Sequence, residues 1–464
     1  MRNDARKSCR TRSLRAERSK RLGADCGVTA LVCAVLGACL VREGWMGWLW
    51  YACLGMGPGL TLLFMRWMEA YDHFTARLRE ILICVVLSNV YAFGLGCAAG
   101  FGLFRSRMLL ALQGAGFCLQ MAGMLLCNGG LYRRFHHPDI YRNPSLLVVA
   151  AQGCEARLRR LKYGVLSDFD AWYMVIGQPG QEGPPELWER LERSDALCIF
   201  DNVWGPVYDR LMDCAMKAGK EVYTIPRMTE TNVNHSCLTH FDDIPVLYRN
   251  DCCLSLGQRF WKRTLDLTVA LAALAAAALP MAVIALWIRL DSPGPVIYRQ
   301  ERYTQDKRTF RIMKFRTMAA DAEKQTGPVF ARKNDPRVTR AGRFLRRFRL
   351  DELPQIFNIL KGEMSLVGPR PERPFFVEKF EKEVPQYDSR FAVKAGLTAL
   401  SHVYGRYSTY ICDRTYYDLR YIVNYSFLLD IRILLLTSKT LFIPNAAEGE
   451  DEFKAKPITQ TGSR

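Results

Sequence analysis

The chain has 464 residues, enough for two or three domains with their own cores, and 49% of them are hydrophobic. A formal net charge of +18 points to an anionic partner; with no zinc-finger, homeodomain or RNA-binding signature, nucleic acid is excluded in favour of a membrane surface or an anionic substrate. The 16 cysteines lie singly with no CxxC pair, and adjacent Cys252 and Cys253 suit neither a disulfide nor two zinc ligands, so reduced thiols are expected.

Residues 1–23 read as a basic cytoplasmic arm, with Lys and Arg recurring from Arg2 to Arg21 and no signal-peptide cleavage site behind them. Four apolar runs follow within 24–135, at about 24–41, 44–65, 81–104 and 108–131, each near the roughly 20 residues that cross a bilayer core. Basic residues flank them unequally. The arm, then Arg66, Arg77 and Arg79, then Arg133 and Arg134 fall on one side; the other side has Arg42, Arg105 and Arg107. The positive-inside rule therefore predicts four transmembrane helices with a cytoplasmic N-terminus.

Residues 145–250 change character. Strand-like runs at Leu146–Ala151, Tyr173–Ile176, Ala196–Phe200 and Glu221–Ile225 alternate with helical patterns at Glu155–Tyr163, Glu186–Arg193 and Pro206–Lys217. That alternation predicts a small Rossmann-like α/β domain with a parallel sheet. Gln152-Gly153-Cys154 replaces the glycine fingerprint of dinucleotide binding, and Asp168-Phe169-Asp170 matches a metal-holding DxD only formally.

The apolar run Leu267–Ile288 contains Pro280, and both its flanks are basic: Arg259, Lys262 and Arg263 before, Arg289, Arg299 and Arg302 after. A bend at Pro280 leaves arms of roughly 20 and 12 Å, neither long enough for a core of about 30 Å. A re-entrant helix over 265–289 with both ends cytoplasmic is expected. Beyond it, 290–445 is a polar, basic block. The run Phe427–Phe442, interrupted by Asp430, Arg432 and Lys439, suits a helix in the membrane interface or docked on the core; 446–464 is a polar tail.

The densest chemical cluster is Arg340–Pro371. Leu353, Phe357 and Leu360 recur at helical spacing after Asp351-Glu352, and Pro354 fits the first helical turn. The two carboxylates therefore sit at or just before a helix N-terminus among Arg343, Arg346, Arg347 and Arg349, where one carboxylate can attack phosphorus while the other holds a metal. Local physics alone favours the plainer reading, a helix-capping acidic pair that satisfies the arginines.

The motifs resolve that choice. Lys262-Arg263 with Asp266, DSPGPVIYRQER at Asp291–Arg302, KFRTM at Lys314–Met318, LDELPQIFNILKGEMSLVGPRPE at Leu350–Glu372, VKAGLT at Val393–Thr398 and YDLRYIVNYSFLLDIRILLLT at Tyr417–Thr437 resemble the polyprenyl-phosphate sugar phosphotransferases, the bacterial sugar transferase family. The resemblance covers about 258–442, and the preceding spans and α/β insert resemble the large membrane form. It implies an α-rich catalytic domain over 258–445 that moves a sugar-1-phosphate from a UDP-sugar to undecaprenyl phosphate and releases UMP. It also implies a first membrane step of exopolysaccharide, capsule or O-antigen assembly at the bacterial cytoplasmic (inner) membrane. Asp351 would be the nucleophile, carrying the phosphosugar, and Glu352 would hold Mg²⁺. Arg370, Lys314, Arg316 and Arg349 would bind substrate phosphate, and Asp418 and Tyr421 would touch substrate. Flanking arginines are expected to keep Asp351 ionised. Other polysaccharide-assembly proteins are possible partners, and a non-catalytic scaffold of such an assembly is the alternative reading.

Three departures from the family pattern stand out. Leu279 replaces a serine before the re-entrant proline, Thr304 and Lys307 replace turn glycines, and Ala395–His402 replaces P-G-[IL]-T-G-x-x-Q, with His402 at the place of the glutamine.

Overall fold

The computed structural model describes residues 10–11, 14–42, 59–68, 70, 78–103, 107–137, 141–152, 169–176, 184–200, 202–225, 236–241, 244–249, 254–318, 337–384, 386–404 and 411–441. Most of the predicted second span, the helical pattern Glu155–Tyr163, Asp168, Cys252, Cys253 and the polar tail lie outside these residues. The chain forms two compact units, Met1–Glu230 and Thr231–Arg464. Among the described residues, Cys84 and Cys198 are buried free thiols.

In the first unit, helices α1 (Leu14–Arg42), α2 (Leu78–Leu103) and α3 (Arg107–Phe135) coincide with three of the four predicted spans. Helix α3 packs against both α1 and α2. Helix α1 starts inside the stretch read as the basic arm. The reason is visible in the spacing of Glu17, Arg21, Asp25 and Thr29, which stack on one buried face. An apolar bundle requires partners for such groups. Asn128 Nδ2 donates to Asp25 Oδ1 at 2.8 Å, Gln120 Nε2 to Thr29 Oγ1 at 3.3 Å, and Arg21 Nη1 to the Ala70 carbonyl at 3.2 Å. Within the described part of this unit, only Leu78–Cys97 is long and apolar enough to cross a membrane by length and composition.

The α/β part follows. Strands β1 (Ser145–Ala151), β2 (Asp170–Ile176), β3 (Ala196–Ile199) and β4 (Glu221–Thr224) form a parallel sheet in the order β2-β1-β3-β4. Strand β1 is buried along its whole length, which explains why SLLVVAA is continuously apolar rather than alternating. Helix α4 (Pro185–Arg193) buries Leu187 and Leu191, and α5 (Pro206–Lys217) buries Val207, Leu211 and Ala215. Beyond β3, Asn202 takes both backbone groups of Ala151, accepting from its N–H at 3.0 Å and donating to its carbonyl at 2.9 Å.

The second unit opens with an antiparallel hairpin, Ser236–Phe241 with Ile244–Arg249, that pairs with no other strand. The unit boundary thus precedes the predicted domain end at residue 250. Helix α6 (Leu256–Asp291) begins earlier than the predicted 265–289 because Ser255 and Gln258 form a capping box. The helix continues across Pro280, so the break expected there does not end it, and it too is long and apolar enough to cross a membrane by length and composition. One stripe, Leu274, Ala277, Met281, Ile284 and Ile288, packs on Phe315, Leu345, Leu350 and Leu353. The opposite stripe, including Leu271, Leu279, Val283, Leu286 and Leu290, is exposed.

Both ends of α6 are fastened to the same unit. Near its start, Lys262 Nζ donates to the Val367 carbonyl at 2.9 Å, to Tyr421 Oη at 2.9 Å and to Asp430 Oδ2 at 2.8 Å. One turn on, Asp266 Oδ1 accepts from Ser365 Oγ and Leu366 N, each at 2.9 Å. Arg263 caps helix α8 (Gln355–Lys361) through the carbonyls of Ile359 at 2.7 Å and Leu360 at 2.9 Å. At the far end, Asp291 Oδ2 accepts from Ala341 N at 3.2 Å.

A hairpin of β5 (Ile297–Tyr303) and β6 (Thr309–Phe315) and helix α7 (Arg340–Arg347) precede α8. Then come β7 (Ser365–Val367), α9 (Pro374–Glu383) and β8 (Gly396–Thr398), with β7 and β8 parallel. Helices α10 (Leu400–Tyr404), α11 (Ile411–Val423) and α12 (Phe427–Leu441) complete the unit. Helix α12 docks through Ile433 and Leu436, both buried, so the core-docking alternative holds for it.

The Lys262–Asp430 pair is 7% and 1% exposed. Breaking such a pair from one side strands a buried charge. Lys262→Met should cost about 3 kcal/mol or more of stability, read as a lowered unfolding midpoint in detergent; an unchanged midpoint would remove this pair from the account of how α6 is held.

Candidate active site

The site is built on three fastenings. Asn358, fully buried, joins α8 to β6: its Oδ1 accepts from Met313 N at 3.0 Å and its Nδ2 donates to the Arg311 carbonyl at 2.9 Å. Just before α8, Arg349 adopts a left-handed conformation at φ 53°, turning the chain into a tight 3₁₀ turn, Leu350–Glu352. A side-chain-bearing residue held there is strained, a feature that clusters at functional sites. Leu350 and Leu353 bury against α6, and between them Asp351 and Glu352 remain half-exposed. Pro354 caps α8, as its position predicted.

Lys314 on β6 reaches Glu352, with Nζ to Oε1 at 2.8 Å. Burial pushes Glu352 upward, but Lys314, Arg370 and Arg349 together outweigh it and hold the carboxyl well below its usual range. Asp351 goes the other way. Burial raises it, with Glu352 adding, against the pull of Lys314 and Arg346. The expectation that arginines dominate at Asp351 is therefore corrected, since desolvation is the larger influence. Arg349 is itself lowered by burial and by Arg370, against Glu352 and Asp351.

Arg370 enters from the loop after β7. Backbones cross closely there: a Cβ on Gly368 would collide with the Lys394 carbonyl, and one on Gly396 with Gly368 N. Arg390, 1% exposed, donates to the Arg370 carbonyl at 2.9 Å and to Asp418 Oδ2 at 2.7 Å, and also to Tyr387 Oη. Ser401 Oγ donates to Asp418 Oδ1 at 3.0 Å. Arg370 Nη1 donates to His402 Nε2 at 2.9 Å. Nearby, Glu372 pairs with Arg414 at 3.1 Å and Arg302 at 3.8 Å. Burial, helped by Arg370 and Arg373, brings Arg302 down to about 10 despite Glu372.

Of the residues predicted from sequence, Asp351, Glu352, Lys314, Arg349 and Arg370 fall within one electrostatic neighbourhood. Arg316 does not join it: the side chain is buried and donates to the carbonyls of Ser292 at 2.6 Å and Pro293 at 2.9 Å, tying the end of α6 to β6. Asp418 and Tyr421 are each 1% exposed and held by protein partners, so both support the site from within instead of touching substrate. Arg390 was missed, because it carries no periodic or motif signal and acts through partners distant in the chain. His402 stood out only as a departure at the glutamine of the related pattern, and its contact with Arg370 was not foreseen.

Among the described residues, no group of three or more His, Cys, Asp and Glu side chains forms a protein-only metal cage. The adjacent Asp351 and Glu352 still fit Mg²⁺, which takes one or two carboxylates and completes its shell with water and phosphate oxygens. Residues 257–444 match the family model described as bacterial sugar transferase. The chain is 54% identical over 129 residues to a putative undecaprenyl-phosphate N-acetylgalactosaminyl 1-phosphate transferase of Bacillus subtilis (strain 168), covering 28% of this chain and 72% of that one. It is 38% identical over 267 residues to the UDP-N-acetylgalactosamine-undecaprenyl-phosphate N-acetylgalactosaminephosphotransferase of Aeromonas hydrophila, covering 55% of this chain and 62% of that protein. A UDP-galactose-lipid carrier transferase of Erwinia amylovora is 28% identical over 401 residues, 79% of this chain and 82% of that one. On these matches and the site they enclose, the chain belongs to the bacterial sugar transferase family.

Proposed function

We propose that the chain transfers a sugar-1-phosphate from a UDP-sugar to undecaprenyl phosphate, releasing UMP, as the first membrane step of an exopolysaccharide, capsule or O-antigen. The observation that carries this reading is the make-up of the site: two adjacent carboxylates pushed in opposite directions, with Lys314, Arg346, Arg349 and Arg370 around them. Relatives named for this substrate pair support it. Paired groups with separated affinities for protons divide roles. Asp351, the more basic, attacks the sugar-bearing phosphorus. A bond forms from its carboxyl oxygen to phosphorus, the bridging P–O bond breaks, and UMP leaves with that electron pair. An oxygen of the lipid phosphate then attacks the same phosphorus, and the acyl phosphate bond breaks to restore the carboxylate. Lys314, Arg349 and Arg370 hold phosphate oxygens and offset the charge that shifts among them. Glu352, kept anionic, is the residue suited to hold Mg²⁺, which when bound supplies further charge neutralisation at the diphosphate.

The membrane arrangement belongs to the same proposal. Four N-terminal crossings return the chain to the cytoplasm, a Rossmann-like domain follows, and α6 dips into the bilayer and returns. Fastening of Lys262, Asp266, Ile288 and Asp291 to one unit supports that return, because it keeps both ends of α6 with the same unit. Cysteines placed at Ser255 and Pro295 should both react with an impermeant reagent from the cytoplasmic side; labelling of one alone would rule out re-entrance.

Two further outcomes test the chemistry. With UDP-sugar and no lipid, the enzyme should release UMP in at most one equivalent and leave a phosphosugar mass on the peptide bearing Asp351. Asp351→Asn should do neither. UMP appearing only after lipid phosphate is added, with no adduct after acid quench, would favour direct attack in a ternary complex. UDP as product would mean an ordinary glycosyltransferase.

For the metal, Glu352→Gln should lose most activity at ordinary Mg²⁺, by about 100-fold or more, while remaining folded at the assay temperature, with a lowered unfolding midpoint from the lost Lys314 pair. Near wild-type turnover after chelation and modest Mg²⁺ return would free Glu352 of that role.

A further inference from the structure

Arg370 is held twice by one closed circuit. Its carbonyl accepts from Arg390 Nη2 at 2.9 Å, Arg390 pairs with Asp418 at 2.7 Å, and Asp418 accepts from Ser401 Oγ at 3.0 Å. The next residue after Ser401 is His402, whose Nε2 accepts from Arg370 Nη1 at 2.9 Å. The guanidinium is thus held directly from α10, and the backbone carbonyl by Arg390, which the neighbouring α10 residue Ser401 reaches through Asp418. Three observations set the character of the last link. A guanidinium only donates, so Nε2 is the bare nitrogen and the ring proton sits on Nδ1. Burial, then Arg370, Arg349 and Arg414, disfavour an imidazolium here more strongly than Glu352 favours it. Nδ1 is buried and meets no hydrogen-bond partner among the described residues.

We infer that His402 is a positioning residue: as an uncharged acceptor it aims the Arg370 guanidinium at substrate phosphate without neutralising it. This rests on the phosphosugar-transfer reading above. The physical point is the absence of charge on the acceptor. A carboxylate would orient the guanidinium equally well but would cancel the field that a diphosphate needs. An amide oxygen would serve as imidazole does, which is why a glutamine at this place in the related pattern is the same device in another side chain. His402 itself touches no reacting atom in this account; it acts through Arg370.

The test uses the full-length enzyme in detergent or nanodiscs and follows UMP release from a UDP-sugar. His402→Leu keeps bulk but accepts nothing, and should lower kcat/KM by roughly 10- to 100-fold, the scale of one hydrogen bond to a charged group. His402→Gln restores a neutral acceptor and should stay within about threefold of wild type. In an Arg370→Lys background, whose shorter range of donors loses the fork geometry, His402→Leu should cost almost nothing further. Three results would overturn the assignment: wild-type kcat/KM in His402→Leu, His402→Gln as impaired as His402→Leu, or an undiminished His402→Leu loss when Arg370 is already Lys. A wild-type enzyme that releases no UMP from any UDP-sugar would instead bring down the transfer reading, and the role of His402 with it.

Discussion

One ammonium group joins the long apolar helix α6 to the candidate active site. Lys262 Nζ, on α6, meets the Val367 carbonyl, Tyr421 Oη and Asp430 Oδ2 at once. Val367 is the residue before the Gly368–Arg370 loop, Tyr421 is on α11 and Asp430 is on α12. A lysine is seldom buried unless paired, and here its three donors match three acceptors. The arrangement leaves little freedom: moving α6 by one turn would strand both Lys262 and Asp430 in an apolar setting. Asp266 repeats the constraint one turn along by taking Ser365 Oγ and Leu366 N. The strand that delivers Arg370 is therefore set by the long apolar helix α6.

The site then concentrates cations around few anions. Glu352 takes Lys314, and Glu372 takes Arg302 and Arg414, while Arg349 and Arg370 raise the positive field further. Burial lowers Arg349 and Arg302, a sign that these charges are held where water is scarce. Such a surplus suits an anionic ligand, as the proposed nucleotide diphosphate would be. The same low-water setting separates the two carboxylates. Glu352 is surrounded well enough to remain an anion, whereas Asp351 is desolvated with fewer compensating contacts.

Much of this was legible in the residues. Continuous apolar β-branched runs located β1 and its neighbours, and the helix read from Pro206 starts where expected. The Asp351-Glu352 pair and Arg370 were marked by unbroken motifs. What could not be read were contacts between residues far apart in sequence. Arg316 lies in a basic run that looks like phosphate chemistry, yet its partners are the carbonyls of Ser292 and Pro293. Asp418 and Tyr421 look like exposed helical polar groups until Arg390 and Lys262 are found against them. The start of α1 was misplaced for a similar reason: a basic stretch reads as solvated unless its buried partners are known, and Glu17 and Arg21 are buried within the bundle.

The departures from the family pattern at Lys307 and His402 follow one logic. Lys307 stands where a glycine is usual, and its φ of 53° is one that glycine adopts without strain. The turn is held instead by the Lys307 ammonium, which pairs with Glu381 at 3.0 Å and Asp388 at 2.8 Å, exchanging backbone ease for side-chain anchoring. In the Ala395–His402 segment, Gly396 is retained where the backbones cross, because a Cβ there would strike Gly368. Ala395 and Ala399 are buried and apolar, so they fill space beside that crossing without asking for a partner. His402 keeps an uncharged acceptor beside Arg370. At Lys307 and His402 another side chain meets the same local demand, whereas Leu279 supplies no hydroxyl in place of the serine. The positions that did not change are Asp351, Glu352, Gly368 and Arg370, where the demand is for a carboxylate, a bare Cα or a forked cation, and no other side chain supplies it.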